Sequence, residues 1–76
     1  MAMVLSEMVP GDSGSVVEMT AAGSLGQRLM DLGFYPGAII RVIRNAPLKD
    51  PLEIELDGYH LSLRHEEAGH VEVAPR

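Results

Sequence analysis

Apolar positions along the chain follow two periods, and the change of period divides it. In Ser24–Gly37, reading SLGQRLMDLGFYPG, Leu25, Leu29 and Leu32 recur at i, i+4 and i+7, which places them on one stripe of a helix. Ser24 is set to cap the first free N–H groups and Gln27, three residues on, to reach back to the cap, a capping box. Gly33 falls where a left-handed residue ends a helix, Phe34 where an apolar contact returns onto Leu29, and Pro36 where continuation stops. Pro36-Gly37 suits the centre of a type II turn. A helix of about nine residues is marginal alone in water, and Gly26 costs it about 1 kcal/mol relative to Ala. It persists by docking its leucine stripe on a sheet.

Elsewhere the period is two. Ser15–Thr20 reads as a strand, with Val17 and Met19 on one face and Val16 and Glu18 on the other. Ile39–Asn45 is a longer strand in which both faces carry isoleucine or valine. Leu52, Ile54 and Leu56 alternate with Glu53 and Glu55, and Tyr59, Leu61 and Leu63 with His60 and Ser62. Asp57-Gly58 between these two runs signals a type I′ hairpin. Val71 and Val73 close the set. Leu5–Val9 reads as a short helical turn over the barrel's end, Pro47–Pro51 as a loop and Arg64–Gly69 as a polar connection. The inventory is five short strands and one helix inserted after the first strand. The fold class is therefore mainly β, a small partly open barrel of SH3-like or OB-like type, whose open edge leaves self-association possible.

At 76 residues the chain is read as one domain, residues 1–76. Hydrophobic residues make up 46% and charged residues 22%, which separates it from disordered chains. The absence of cysteine excludes a disulfide framework and a thiolate nucleophile, and fits a reducing, cytoplasmic location. Neither a signal-peptide pattern nor an apolar run of membrane-spanning length is present. Six basic against eleven acidic residues give a net charge of −5, which repels phosphate backbones, so Arg28, Arg41, Arg44 and Arg64 read as a solvated face rather than a nucleic-acid site.

Catalysis needs a nucleophile, a base and an orienting group brought together, and no motif links the scattered serines, histidines and carboxylates. No phosphate-cradling GxxxxGK[ST] loop occurs. No enzyme activity and no resident cofactor are expected. His60, His65 and His70, with Glu66 and Glu67, form the candidate metal cluster, of a chemistry suited to weak binding of a divalent transition metal. Their positions on a solvent-facing strand site, in the following turn and at the next strand's start instead suit ordinary surface residues. With no Trp, and only Phe34, Tyr35 and Tyr59 as aromatics, the proline-peptide groove of SH3 domains is poorly supplied. Phe34 belongs to the core. The expected partner-contact residues are Gln27, Arg28 and Met30 on the helix's outward side, Tyr35 in the turn after it, and Leu48 in the Pro47–Pro51 loop. Ser24, Leu29, Leu32, Gly33, Pro36 and Gly37 are expected to be structural.

Pro10-Gly11 ahead of the Val16 strand, then RLMDLGFYPG at Arg28–Gly37, Asp50-Pro51-Leu52, LSLR at Leu61–Arg64 with Glu67-Ala68, and the closing Val71–Val73 strand follow one another in a set order over nearly the whole chain. In this the sequence resembles FeoA, the small ferrous iron transport protein A of bacteria, and the SH3-like FeoA-type domain at the end of some metal-dependent repressors. It departs at Gln27, where the family often carries a basic residue. The repressor reading needs a helix-turn-helix segment ahead of the domain, for which the four residues before Leu5 leave no room. The resemblance implies an SH3-like fold and a cytosolic accessory protein of ferrous iron uptake. Such a protein acts by contact with a membrane permease carrying a cytosolic GTP-binding domain, and is peripheral to the membrane only through that partner. GTP chemistry then belongs to the partner. The alternative is a small iron- or transition-metal-binding protein using the His60, His65 and His70 cluster.

Overall fold

The computed structural model describes residues 2–76. Its strands are β1 (Met3–Val4), β2 (Ser13–Met19), β3 (Ile39–Arg44), β4 (Leu52–Leu56), β5 (Tyr59–Leu63) and β6 (Val71–Pro75). They form one six-stranded sheet in the order β1-β6-β2-β3-β4-β5, with each neighbouring pair antiparallel. Helix α1 (Gly23–Leu32) lies between β2 and β3, and a four-residue helix α2 (His65–Ala68) between β5 and β6. The mainly β, open architecture expected from the periodicity is observed, SH3-like as the resemblance implies, with six strands rather than five. The additional strand, β1, is a two-residue pairing of Met3 and Val4 with Val73 and Glu72, too short to show a period. The main helix accordingly follows the second strand, not the first.

One core fills the concave side of the sheet. Leu29, Phe34, Ile40, Leu52, Ile54, Val71 and Val73 are wholly buried, as are Leu5 and Met8 around a 3₁₀ turn at Leu5–Glu7. This turn is the helical element expected at Leu5–Val9. The hairpin also forms as expected: Asp57 and Gly58 have φ of 48° and 89°, as a type I′ turn demands, and β4 pairs with β5 from Leu56↔Tyr59 to Leu52↔Leu63. Tyr59 occupies an inward position at the open edge with nothing packed over it, and is exposed rather than inward-packed. The Arg64–Gly69 connection contains α2, started by Glu67, whose Oε1 accepts the Arg64 N–H at 2.9 Å, and anchored by the buried Ala68.

Two register shifts correct the strand faces. In β2, Val16 pairs with Val73 and Glu18 with Glu72, so Val17 is an extra residue and faces solvent. Val16 and the partly buried Met19 thereby both face the core, whereas strict alternation places Met19 on one face with Val17. A matching shift in β3 between Val42 and Arg44 leaves Ile43 exposed.

The helix end forms as the sequence indicates. Gly33 takes φ 109°, its N–H reaches Met30 O at 2.9 Å and the Phe34 N–H reaches Leu29 O at 3.1 Å, the paired bonds of a Schellman motif. Ala38 N–H then bonds Tyr35 O at 2.9 Å across Pro36-Gly37, with Gly37 at φ 94°, closing the type II turn. The helix start differs. Ala22 is the cap residue, the helix begins at Gly23, and no side chain caps it. Ser24 is thus inside the first turn, past the position from which its hydroxyl could cap, and Gln27 Nε2 donates instead to Asp31 Oδ1 at 2.9 Å. Leu32 is 38% exposed and not part of the core stripe; past the helix end the wholly buried Phe34 joins the core with Leu29 instead.

Candidate functional site: an exposed contact surface

Among the described residues no polar or charged side chain is buried and no buried side-chain polar atom lacks a partner. Chemistry on this molecule is therefore chemistry of its surface. Of the expected site residues, Arg28 lines one hollow in that surface and Leu48 and His65 line another.

The first, a cleft of about 590 Å³, lies between α1 and the β5–α2 junction and is lined by Leu25, Arg28, Pro51, Ser62, Arg64 and Glu66, among others. Arg28 leans across it: Nε meets Glu67 Oε2 at 3.0 Å, while the other oxygen of Glu67 holds the Arg64 N–H. Glu67 is 12% exposed but Arg28 is 59% exposed, so the pair links α1 to α2 while remaining partly screened by solvent. Arg28 thus has an ion-pair partner that its sequence position did not reveal. The signal was Glu67 itself, three residues after the α2 cap. Gln27 and Met30 remain exposed on the same helix, and Tyr35 projects from the turn with half its surface free.

Leu48 is the most exposed large apolar side chain among the described residues and has φ of 62°, a left-handed conformation that costs a branched residue energy. It borders a hollow of about 360 Å³ with Ser6, Asp50 and His65. The loop carrying it is fastened beneath. Asp50 Oδ1 accepts the His65 backbone N–H at 2.8 Å and lies 2.6 Å from its Nδ1, and His65 Nε2 lies 2.6 Å from Asn45 Oδ1. Asn45 Nδ2 in turn donates to the carbonyls of Ser6 and Met8 at 3.0 and 2.7 Å. Those two donations fix the amide's orientation, so both ring nitrogens of His65 face oxygens. The His65 backbone N–H, followed by its side chain, holds the Asp50 carboxyl below its ordinary value.

The three candidate metal-ligating histidines are spread over different partners. His60 Nε2 meets Glu53 Oε1 at 3.0 Å on the outer face of the sheet, His65 is engaged with Asp50 and Asn45, and His70 Nδ1 lies 3.4 Å from Thr20 Oγ1. Among the described residues no group of three or more His, Asp or Glu side chains is gathered closely enough to hold one metal ion. Nor is any helix of the described residues long and apolar enough to cross a membrane.

An open antiparallel sheet curled around one core, with a helix after its second strand, defines a small SH3-like domain. Comparison with known proteins gives the family. The model of the FeoA domain matches residues 3–75, and this chain belongs to the FeoA family. It is 38% identical over 71 residues to an Fe(2+) transport protein A/Fe(2+) transporter FeoB fusion protein of Porphyromonas gingivalis, a match covering 93% of this chain and 8% of that protein. Its fold superposes on a crystal structure described as iron uptake regulatory protein (FeoA) with a TM-score of 0.93 at 36% identity, covering 100% of both chains. The zinc complex of Stenotrophomonas maltophilia FeoA, described as an SH3 domain protein, gives a TM-score of 0.84 at 29% identity over 95% of this chain and 89% of that one.

Proposed function

We propose that this chain is a non-catalytic accessory domain of ferrous iron transport that works by docking on the GTP-binding cytosolic part of a FeoB-type transporter. The observation that carries this is the Porphyromonas gingivalis relative, where a sequence 38% identical to this one is joined to an FeoB transporter in one polypeptide. Covalent linkage raises the effective concentration of two modules that otherwise meet by diffusion. The docking surface in this reading combines Gln27, Arg28 and Met30 of α1 with Tyr35 and Leu48. Exposed apolar and aromatic side chains held on rigid turns are what contact surfaces concentrate. A fully exposed leucine in a left-handed conformation has no use in the chain's own core, and the His65–Asp50–Asn45 bonds hold the loop that presents it.

The test is the affinity of the chain for the soluble GTP-binding portion of FeoB, measured by calorimetry for wild type, Leu48→Ala and Tyr35→Ala. A loss of roughly fivefold or more for either variant, with thermal stability unchanged, is the expected result for contact residues worth about 1 kcal/mol or more each. Wild-type affinity in both variants would move the contact to another face.

A further inference from the structure

The sheet has two open edges, and they are not alike. β1 is two residues long, which blunts it as a template for pairing. β5 is five residues long, carries neither Lys nor Pro, and pairs with β4 without a register shift, whereas the two shifts in the sheet lie in β2 and β3. Among the described residues, no backbone hydrogen bond from a loop or helix reaches Tyr59–Leu63. In a two-residue hairpin the closing pair, here Leu56↔Tyr59, is hydrogen-bonded. Tyr59, Leu61 and Leu63 therefore spend their backbone groups on β4, and those of His60 and Ser62 point outward from the edge.

We propose that β5 pairs antiparallel with β5 of a second copy of this chain, with Leu61 on the two-fold axis, so that the two sheets join into one. The register follows from the strand itself. Only pairings that set His60 and Ser62 opposite outward-pointing groups can form hydrogen bonds, which leaves centres at His60, Leu61 or Ser62. Centring on His60 places the two imidazoles side by side, and centring on Ser62 places His60 opposite Arg64. Centring on Leu61 lets His60 exchange both backbone bonds with Ser62 of the second copy and sets Leu61 against Leu61 as a close, non-hydrogen-bonded pair. Tyr59, 77% exposed, then stands opposite Leu63 of the second copy, at the cleft lined by Leu25, Pro51 and Arg64. Arg64 has no ion-pair partner among the described residues, and in this register it lies level with the Asp57-Gly58 turn of the second copy. No like charges meet along the seam, and the interface is isologous, closing at two copies.

The chain contains no cysteine, so one introduced thiol reports the register directly. In Leu61→Cys the two Cα atoms would lie about 4.5 Å apart, within disulfide reach, whereas in His60→Cys they would lie beyond about 7 Å. Under mild oxidation Leu61→Cys is expected to become a covalent dimer and His60→Cys to remain monomeric. Sedimentation equilibrium of the unmodified chain is expected to show a mass rising with concentration toward two copies. Ser62→Pro, which removes an outward N–H that β4 does not use, is expected to abolish that rise while leaving in place the thermal unfolding curve measured at concentrations where the wild-type chain is monomeric. A wild-type chain that stays monomeric at millimolar concentration overturns the proposal, as does equal cross-linking of the two cysteine variants. So does a wild-type chain whose β5 amides move only when the FeoB GTP-binding portion is added, which would assign the edge to strand addition by that partner.

Discussion

At the scale of single residues, Gly26 separates local propensity from packing. A glycine inside a helix costs about 1 kcal/mol relative to alanine, so propensity alone argues for replacing it. In the fold, the Ala21–Ala22 segment doubles back on the helix, and a Cβ at position 26 would stand 2.7 Å from the Ala21 carbonyl oxygen. That contact is with backbone and has no rotamer to yield. Gly26→Ala is expected to lower the unfolding temperature, and urea denaturation of the pair checks the sign. Asp50 supplies a second expectation. Its carboxyl titrates below 3.8 in the folded chain because His65 donates to it, so the folded state favours the ionised form. The resulting stabilisation is fully present above the unfolded value near 3.8 and is lost as pH falls through the lower folded value. Asp50→Asn should therefore show a shallower loss of stability than wild type across that acid window in denaturant melts at stepped pH.

At the scale of elements, the two ends of α1 were unequally legible. Its C-terminus is written in side chains that have one conformational use each: Gly33 for positive φ, Phe34 for the return contact, Pro36 for termination. Its N-terminus is set instead by Gly23, at φ 64°, which turns the chain into the helix one residue before Ser24. Capping residues lost to alanine typically cost about 1 kcal/mol. Ser24→Ala is expected to change stability by less than about 0.5 kcal/mol, the range of an uninvolved surface position, in the same urea assay. The hairpin was readable because Asp57-Gly58 and strict alternation agree. The bulges at Val17 and Ile43 were not, since an inserted residue breaks a period without leaving a composition signal, and β1 and α2 span about one period each, too little for a pattern to repeat. Of the candidate site, exposure of Gln27, Arg28, Met30, Tyr35 and Leu48 was legible from the pattern. The Arg28–Glu67 and His65–Asp50–Asn45 links were not, because each joins segments that only the folded chain brings together.

At the scale of the whole molecule, the sheet's two sides carry different work. The concave side is closed by α1, the 3₁₀ turn and α2 over a core that, among the described residues, holds no buried charge. The convex side carries Arg41–Glu55, Arg44–Glu53 and His60–Glu53 pairs. The proposed docking surface, the helix's outer face with the turn after it and the Leu48 loop, lies apart from these pairs, on a domain whose family relative is covalently joined to an FeoB transporter. The most direct measurement is an NMR titration of the isotopically labelled chain with the soluble GTP-binding portion of FeoB, with and without nucleotide. The docking account expects amide shifts gathered at Gln27–Tyr35 and around Leu48, differing between the nucleotide states. An unperturbed spectrum at saturating partner concentration, or shifts confined to the convex face of the sheet, would contradict it.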